Sequence, residues 1–317
     1  MGAYSATWTE RHPRSPRTNA TNSHRISRVL DVELEGMRLR DWPFRDLRRR
    51  HAVVLVDHML RHQRRAHTGV QNILRSLSAM SEDAITDEIA EVNFVRGVRV
   101  RANDPRVRGK TQPPRVFGFD ELRRFAAHGR EHEPMLRVLT DCGLRLGEVL
   151  GLERGHFDGE ALHLRGSAHS GVFTPGDQPT KRHVRSVPCP PSTAALILSM
   201  PPRIDTPLLF PTPAGRVWHE SNFRRDVWIP ALAGYLGIVC RRRVEVALRG
   251  ALPGGDQGVS AGDQAARLPP SWITHLRAAG IDDADLAAVA GHTVETMIGT
   301  YTHPLGRSHD RIRKVIG

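Results

Sequence analysis

Between His24 and Gly97 the apolar residues fall near a helical period: Leu47, Val54, Val56, Met59 and Leu60, then Val70, Ile73, Leu74 and Leu77, then Ile85, Ile89 and Val92. A stripe returning every three or four positions buries one helix face and leaves the other wet. Residues 24–97 are therefore expected to form a small all-α domain of three or four helices. Ahead of them, residues 1–23 mix Ser, Thr, Asn, Pro and Arg with little apolar content. Such a composition does not offset the entropy of ordering, and a disordered basic tail is expected. Residues 98–116 hold prolines, a glycine and a run of arginines closed by Lys110, with no apolar period, which reads as a basic linker.

The pattern over 117–317 predicts a second domain, mostly helical with a small antiparallel sheet. A helix is expected from Asp120, as its N-cap, to Gly129, and another from Pro134, a good first helical residue, to Gly143. Ala161 to Arg165 and Arg185 to Val187 read as strands. Further helices are expected at Ser192–Met200, Ser221–Leu236, Asp283–Ala290 and Val294–Tyr301. One stretch, 239–270, is rich in Gly, Ala, Arg and Pro without a sustained period, and it reads as irregular or degenerate.

A length of 317 residues suits two domains, and a formal charge of +12 makes a polyanion the natural partner. Lysine occurs only at 110, 181 and 314, so arginine carries nearly all of that charge. Arg48, Arg49, Arg50, Arg61, Arg64 and Arg65 include pairs one helical turn apart, and with Lys110 in the linker they are candidates to track a phosphate backbone. A solvated face without a partner explains the arginines equally well. Cys142, Cys189 and Cys240 are odd in number and far apart, so neither a disulfide framework nor a thiolate metal site is indicated and a reducing cytoplasm is expected. The longest apolar run, Ala52 to Val56, is far short of a membrane span.

Four side chains stand out for their chemistry. Arg145 follows Gly143 at the start of a turn, where a planar guanidinium can grip two oxygens of one phosphate; an ordinary pairing with Glu148 is the competing reading. Lys181, in a loop between the two strands, is placed to protonate a leaving oxygen, or is simply solvated. His292 after Gly291 can donate to a phosphate oxygen, or serve as a turn residue at a helix start. Tyr301, roughly two and a half helical turns later, is the nucleophile candidate, because a phenol needs cationic neighbours to attack phosphorus at neutral pH. No nucleophile elbow, P-loop or H-E-x-x-H occurs: His132-Glu133 is followed by Pro134, Met135 and Leu136.

Three segments carry these residues in order: L-T-D-C-G-L-R-L-G-E-V-L-G-L (139–152), P-T-K-R-H-V-R-S-V-P (179–188) and A-A-G-I-D-D-A-D-L-A-A-V-A-G-H-T-V-E-T-M-I-G-T-Y-T-H (278–303). In these segments the chain resembles the tyrosine recombinases, the phage-type integrases. The resemblance covers most of 115–317, and the helical segment before it is similar in size and place to the family's core-binding domain. It implies a clamp on double-stranded DNA, made of an α-helical core-binding domain (24–97) and a mixed α+β catalytic domain (117–317), acting as dimers and tetramers. It further implies that Tyr301 forms a 3′-phosphotyrosyl link, that Arg145 and His292 hold the phosphate and that Lys181 protonates the leaving 5′ oxygen. Neither nucleotide nor metal is called for, nor any cofactor or small-molecule substrate.

The sequence departs from the family at its second box, His-x-x-Arg. Counting back from His292 by the family's spacing reaches Ala266 and Pro269, neither of which carries a cation. His275 and Arg277 lie nearby but two apart, so on a helix they point to different faces. Loss of one cation from a phosphate site costs on the order of 3 kcal/mol of transition-state stabilisation. The expectation is a site-specific recombinase impaired in this copy, through divergence or a frame-shifted segment within 239–270; the alternative is a catalytically dead relative acting as regulator or competitor at recombination sites.

Overall fold

The computed structural model describes residues 1–101, 104, 117–176, 184–237 and 268–295. Lys110, Lys181, Tyr301, Ala266 and almost all of 239–270 lie outside the described residues, and the helix expected at Val294–Tyr301 runs beyond them. The chain divides into two compact units, Met1–Lys110 and Thr111–Gly317.

In the first unit the segment expected to be a disordered tail forms two helices, α1 (Gly2–Arg11) and α2 (Pro16–Ser27). Its few apolar residues are spaced rather than scattered: Met1, Tyr4 and Trp8 share one face of α1, and all three are buried. That face is then tied down by polar contacts. The indole of Trp8 donates to Asp83 at 2.6 Å, and the hydroxyl of Tyr4 donates to Asp87 at 2.8 Å. Arg14 lies over the Trp8 ring, 4.8 Å from its centroid. Replacing Trp8 by alanine should cost this unit about 3–5 kcal/mol, the usual range for emptying a buried indole site. Urea denaturation reads the change as a lower midpoint, and an unchanged midpoint would mean that α1 does not hold the unit.

After α2 a two-residue turn at Glu35 (φ 51°) and Gly36 (φ 83°) joins β1 (Glu33–Leu34) to β2 (Met37–Arg38), with Leu34 opposite Met37. This hairpin departs from the expected all-α composition. α3 (Arg49–Arg61) buries Ala52, Leu55, Val56, Met59 and Leu60, and α4 (His67–Thr86) buries Val70, Ile73, Leu74, Leu77 and Met80 along one stripe. Val54 and Val92, expected on the apolar faces, are exposed instead. Ile85 and Ile89 start no new helix. α4 runs through to Thr86, and the chain then turns at Glu88 in a left-handed conformation.

The second unit opens with α5 (Phe119–Ala127), capped at Gly118 with Asp120 in its first turn, so Asp120 is one position inside the helix rather than its cap. α6 (Glu133–Asp141) starts with Pro134 in its first turn and ends just before Gly143 (φ 63°). α7 (Leu146–Leu150) follows at once. β3 (Ala161–Leu164) pairs antiparallel with β6 (Arg185–Pro188), placing Leu164 opposite Arg185. Between them a hairpin of β4 (Gly166–His169) and β5 (Val172–Pro175) was not expected, its strands being short and polar. α7 packs closely on β4 because Gly147 lacks a side chain; a Cβ there would stand 2.8 Å from the carbonyl oxygen of Ala168. α8 (Pro191–Ser199) is followed by α9 (Glu220–Phe223), which continues through a π-helical stretch at Arg224–Trp228 into α10 (Ile229–Leu236). Pro230 lacks the N–H that a regular turn requires there. α11 (Leu268–Ala278) and α12 (Asp283–Ala290) pack on one another, and α11 also packs on α6.

A core of Leu136, Leu139, Leu144, Val149, Leu162, Leu164, Val187 and Phe223 sits among α6, α7, the β3–β6 pair and α9. The structure is thus mainly α-helical with small antiparallel sheets, as the sequence pattern predicts. Among the described residues no helix is long and apolar enough to cross a membrane.

Candidate functional site

The site in the second unit starts from two local turns. At the first, the chain leaves α6, passes Gly143 and enters α7 with Arg145 as the capping residue. Glu148, three residues on, reaches back to accept the backbone N–H of Arg145 at 2.9 Å, satisfying a donor that a helix start leaves unpaired. At the second, Asp282 caps the start of α12 by accepting from the N–H of Ala284 at 2.7 Å, and Gly291 ends the helix in a left-handed conformation (φ 67°). There the N–H of Gly291 bonds to the carbonyl of Ala288 and that of His292 to the carbonyl of Ala287, a glycine-terminated helix end. His292 therefore follows the helix end expected at Ala290 and precedes Val294 and Glu295, which are helical.

These two turns meet. Arg145 donates one terminal nitrogen to Glu148 at 2.9 Å, while the other lies 3.2 Å from the carbonyl oxygen of Gly291 and 3.1 Å from the imidazole nitrogens of His292. Arg185 on β6 completes the arrangement by donating to both carboxylate oxygens of Glu148, at 2.9 and 3.0 Å, and to the carbonyl of Val289 at 2.6 Å. Two guanidinium groups thus occupy the negative end of α12, the position at which a helix dipole favours cations. The Glu148 side chain is 1% exposed and that of Arg185 8%, whereas that of Arg145 is 36% exposed. Glu148 and Arg185 form the buried support, and Arg145 faces the solvent side of it.

Burial pushes the His292 imidazole down to about 4, with the positive charges of Arg145 and then Arg185 acting in the same direction and Glu148 opposing them. The ring is neutral at pH 7. Its folded-state pKa lies below the ordinary histidine value, so above about pH 6.5 neither state takes a proton there and stability does not change through this group. As the pH falls from about 6.5 toward 4 the unfolded chain binds a proton that the folded chain does not, and stability falls. Urea midpoints measured across this range should decline in the wild type and decline less in His292→Gln; parallel curves would refute the assignment.

Of the four residues singled out for chemistry, the structure brings Arg145 and His292 together, while Lys181 and Tyr301 lie outside the described residues. The pairing of Arg145 with Glu148 is also present, so the two readings of Arg145 are compatible. Arg185 was not singled out. Its signal is a lone arginine at the start of the strand R-S-V-P, paired opposite the buried Leu164. His275 and Arg277 are engaged elsewhere: His275 with the carbonyl of Phe117 at 2.8 Å, Arg277 with Asp283 at 2.9 Å. In the first unit Arg48, Arg49, Arg61 and Arg64 are exposed. Arg48 donates to the carbonyls of Arg45 and Leu47, Arg49 to that of Gly97 at 3.4 Å, and Arg61 to Asp57 at 2.7 Å. Arg65 is half-buried, and burial with the nearby Arg28 lowers its pKa. Among the described residues no group of three or more His, Cys, Asp or Glu side chains is arranged to hold a metal ion.

No family model and no curated protein matches the chain. Solved structures do. The Tn1549 transposon integrase in complex with a circular intermediate DNA is similar at a TM-score of 0.68 and 16% identity, over 99% of this chain and 98% of that one. The same integrase in complex with transposon right end DNA gives 0.67 and 17%, over 99% and 98%. A lambda integrase dimer bound to a COC′ core site gives 0.60 and 12%, over 96% and 95%. With identity this low the likeness speaks for the fold, and it extends through both units: the fold of this chain is that of the tyrosine recombinases, the phage-type integrases.

Proposed function

We propose that this chain binds duplex DNA, assembles on it as dimers and tetramers, and cleaves and rejoins it as a site-specific tyrosine recombinase whose phosphate site is one cation short. The observation that carries this reading is the meeting of Arg145 and His292, 147 positions apart in sequence and within 3.1 Å in space, over the buried Glu148 carboxylate. A guanidinium anchored on one side by a carboxylate keeps its other edge in a fixed direction. A neutral imidazole beside it donates a hydrogen bond to a phosphate oxygen without repelling the arginine. Tyr301, releasing its phenolic proton to water, then attacks phosphorus to form the 3′-phosphotyrosyl link as the bond from phosphorus to the 5′ oxygen breaks. Lys181 protonates that departing oxygen, and the free 5′ hydroxyl reverses the step on rejoining. Negative charge that builds on the phosphate oxygens is met by Arg145 and His292. Structurally similar proteins include integrases in complex with DNA and a lambda integrase tetramer bound to a Holliday junction.

The missing cation favours a second reading, a DNA-binding relative without cleavage that acts as regulator or competitor at recombination sites. Ala266 and Pro269 stand where the family's second box would supply charge, and the nearest alternatives, His275 and Arg277, are bonded to Phe117 and Asp283. A library of nicked duplexes with randomised sequence, which traps covalent intermediates because the nicked fragment diffuses away, decides between the two. Slow accumulation of a protein–DNA adduct that Tyr301→Phe abolishes is the expected result. Salt-dependent binding with no adduct selects the regulator, and the absence of DNA binding overturns both.

A further inference from the structure

The turn that carries Arg145 is held from behind by a residue with no part in the chemistry above. Trp272 on α11 is 5% exposed, and its indole N–H donates to the carbonyl oxygen of Asp141 at 2.8 Å. The same ring lies flat against Gly143: a Cβ on that glycine would stand 2.6 Å from Cδ2 of the indole and 2.8 Å from Cγ. Nothing larger than glycine fits under the ring, and the positive φ of Gly143 disfavours a side chain as well. Asp141 is itself fixed. Its carboxylate accepts from Arg137 at 2.8 Å and from Thr193 at 2.7 Å, and its side chain is 1% exposed. The stretch from Asp141 to Arg145 is thus clamped at Asp141 by α8 and α11, at Gly143 by the indole face, and at Arg145 by Glu148.

This clamp adds a further tie between two parts of the unit that Arg185 already bridges through Glu148 and the carbonyl of Val289. α11, which carries Trp272, packs on α6 ahead of Arg145 and on α12 ahead of His292. A shift of α11 therefore moves both turns.

We propose that Trp272 is a positioning residue: its indole, bonded to Asp141 and laid over Gly143, sets the reach of Arg145 toward His292. Its consequence for phosphate binding rests on the recombinase reading, but the contact itself does not, and the two fail separately. Trp272 acts through the backbone of another segment and carries no charge.

The test is the titration of His292 in the full chain, followed by NMR of its ring protons and assigned with His292→Gln. Among the described residues, Arg145, Arg185 and Glu148 are charged groups that act on that ring. In Arg145→Ala the His292 pKa should rise from its low value toward the ordinary histidine range of about 6.5. Trp272→Phe keeps a ring over Gly143 but removes the N–H, and its His292 pKa should move in the same direction as in Arg145→Ala. A benzothienylalanine at 272, which exchanges the N–H for sulfur at nearly unchanged shape, should do likewise and decides the matter should the phenylalanine variant fail to fold. A Trp272 variant that melts earlier yet titrates His292 as the wild type does would mean that the residue only fills the core, and would overturn the proposal. If no DNA adduct ever forms but the titration moves as stated, the recombinase reading fails and the positioning role stands.

Discussion

Replacing Glu148 by alanine is expected to destabilise the second unit by about 3–5 kcal/mol, because it removes one member of a buried charged group and leaves the others behind. The carboxylate is 1% exposed and meets two guanidinium groups and one backbone N–H. Taking it away removes the charge partner of Arg185, itself 8% exposed, and sets two positive charges against each other. Glu148→Gln keeps the shape and the bond to the Arg145 backbone, so it should lose less. The charge also opposes the lowering of the His292 pKa, so His292 should titrate still lower in both variants. Urea unfolding with an NMR titration checks both statements, and a loss below about 1 kcal/mol, the size of an exposed pair, would show that the carboxylate is not buried in solution.

Restoring the missing charge is expected to have the largest effect on activity. The double substitution Ala266→His with Pro269→Arg rebuilds the His-x-x-Arg pattern at the spacing that the resemblance implies. Position 269 lies in the first turn of α11, where a helix accepts proline and arginine alike. Adding one preorganised cation at a developing phosphate charge is worth about 10²–10³ in rate. Adduct yield on the nicked library should rise by about that factor, and Tyr301→Phe in the same background should remove it. A double variant that binds DNA as tightly as the wild type, yet forms no more adduct, would show that a missing cation is not what limits this chain.

Local chemistry was readable in the sequence because its partners are close along the chain. Arg145 and Glu148 are three residues apart, the separation that puts two side chains on one helix face. Pro134 marks a helix start and Gly143 a helix end, through backbone preferences that need no knowledge of the rest of the fold. The stripes of α3 and α4 are legible for the same reason. Composition misled at the N-terminus: averaged over 23 residues the apolar content is low, but Met1, Tyr4 and Trp8 concentrate it on one face, and Asp83 on α4 and Asp87 just past its end supply the polar partners.

What the sequence determined by itself was the set of turns and periods, and with them a mainly helical chain whose motifs pointed to phosphodiester chemistry. Only the tertiary structure decided that Arg185 shares the carboxylate of Glu148, that the end of α12 meets the start of α7, and that an indole from α11 supports the turn between them. Those contacts join residues separated by 37, 146 and 131 positions. Neither spacing nor propensity reports on pairs so distant, because their meeting depends on how whole elements pack and not on the dihedral preferences of the residues involved.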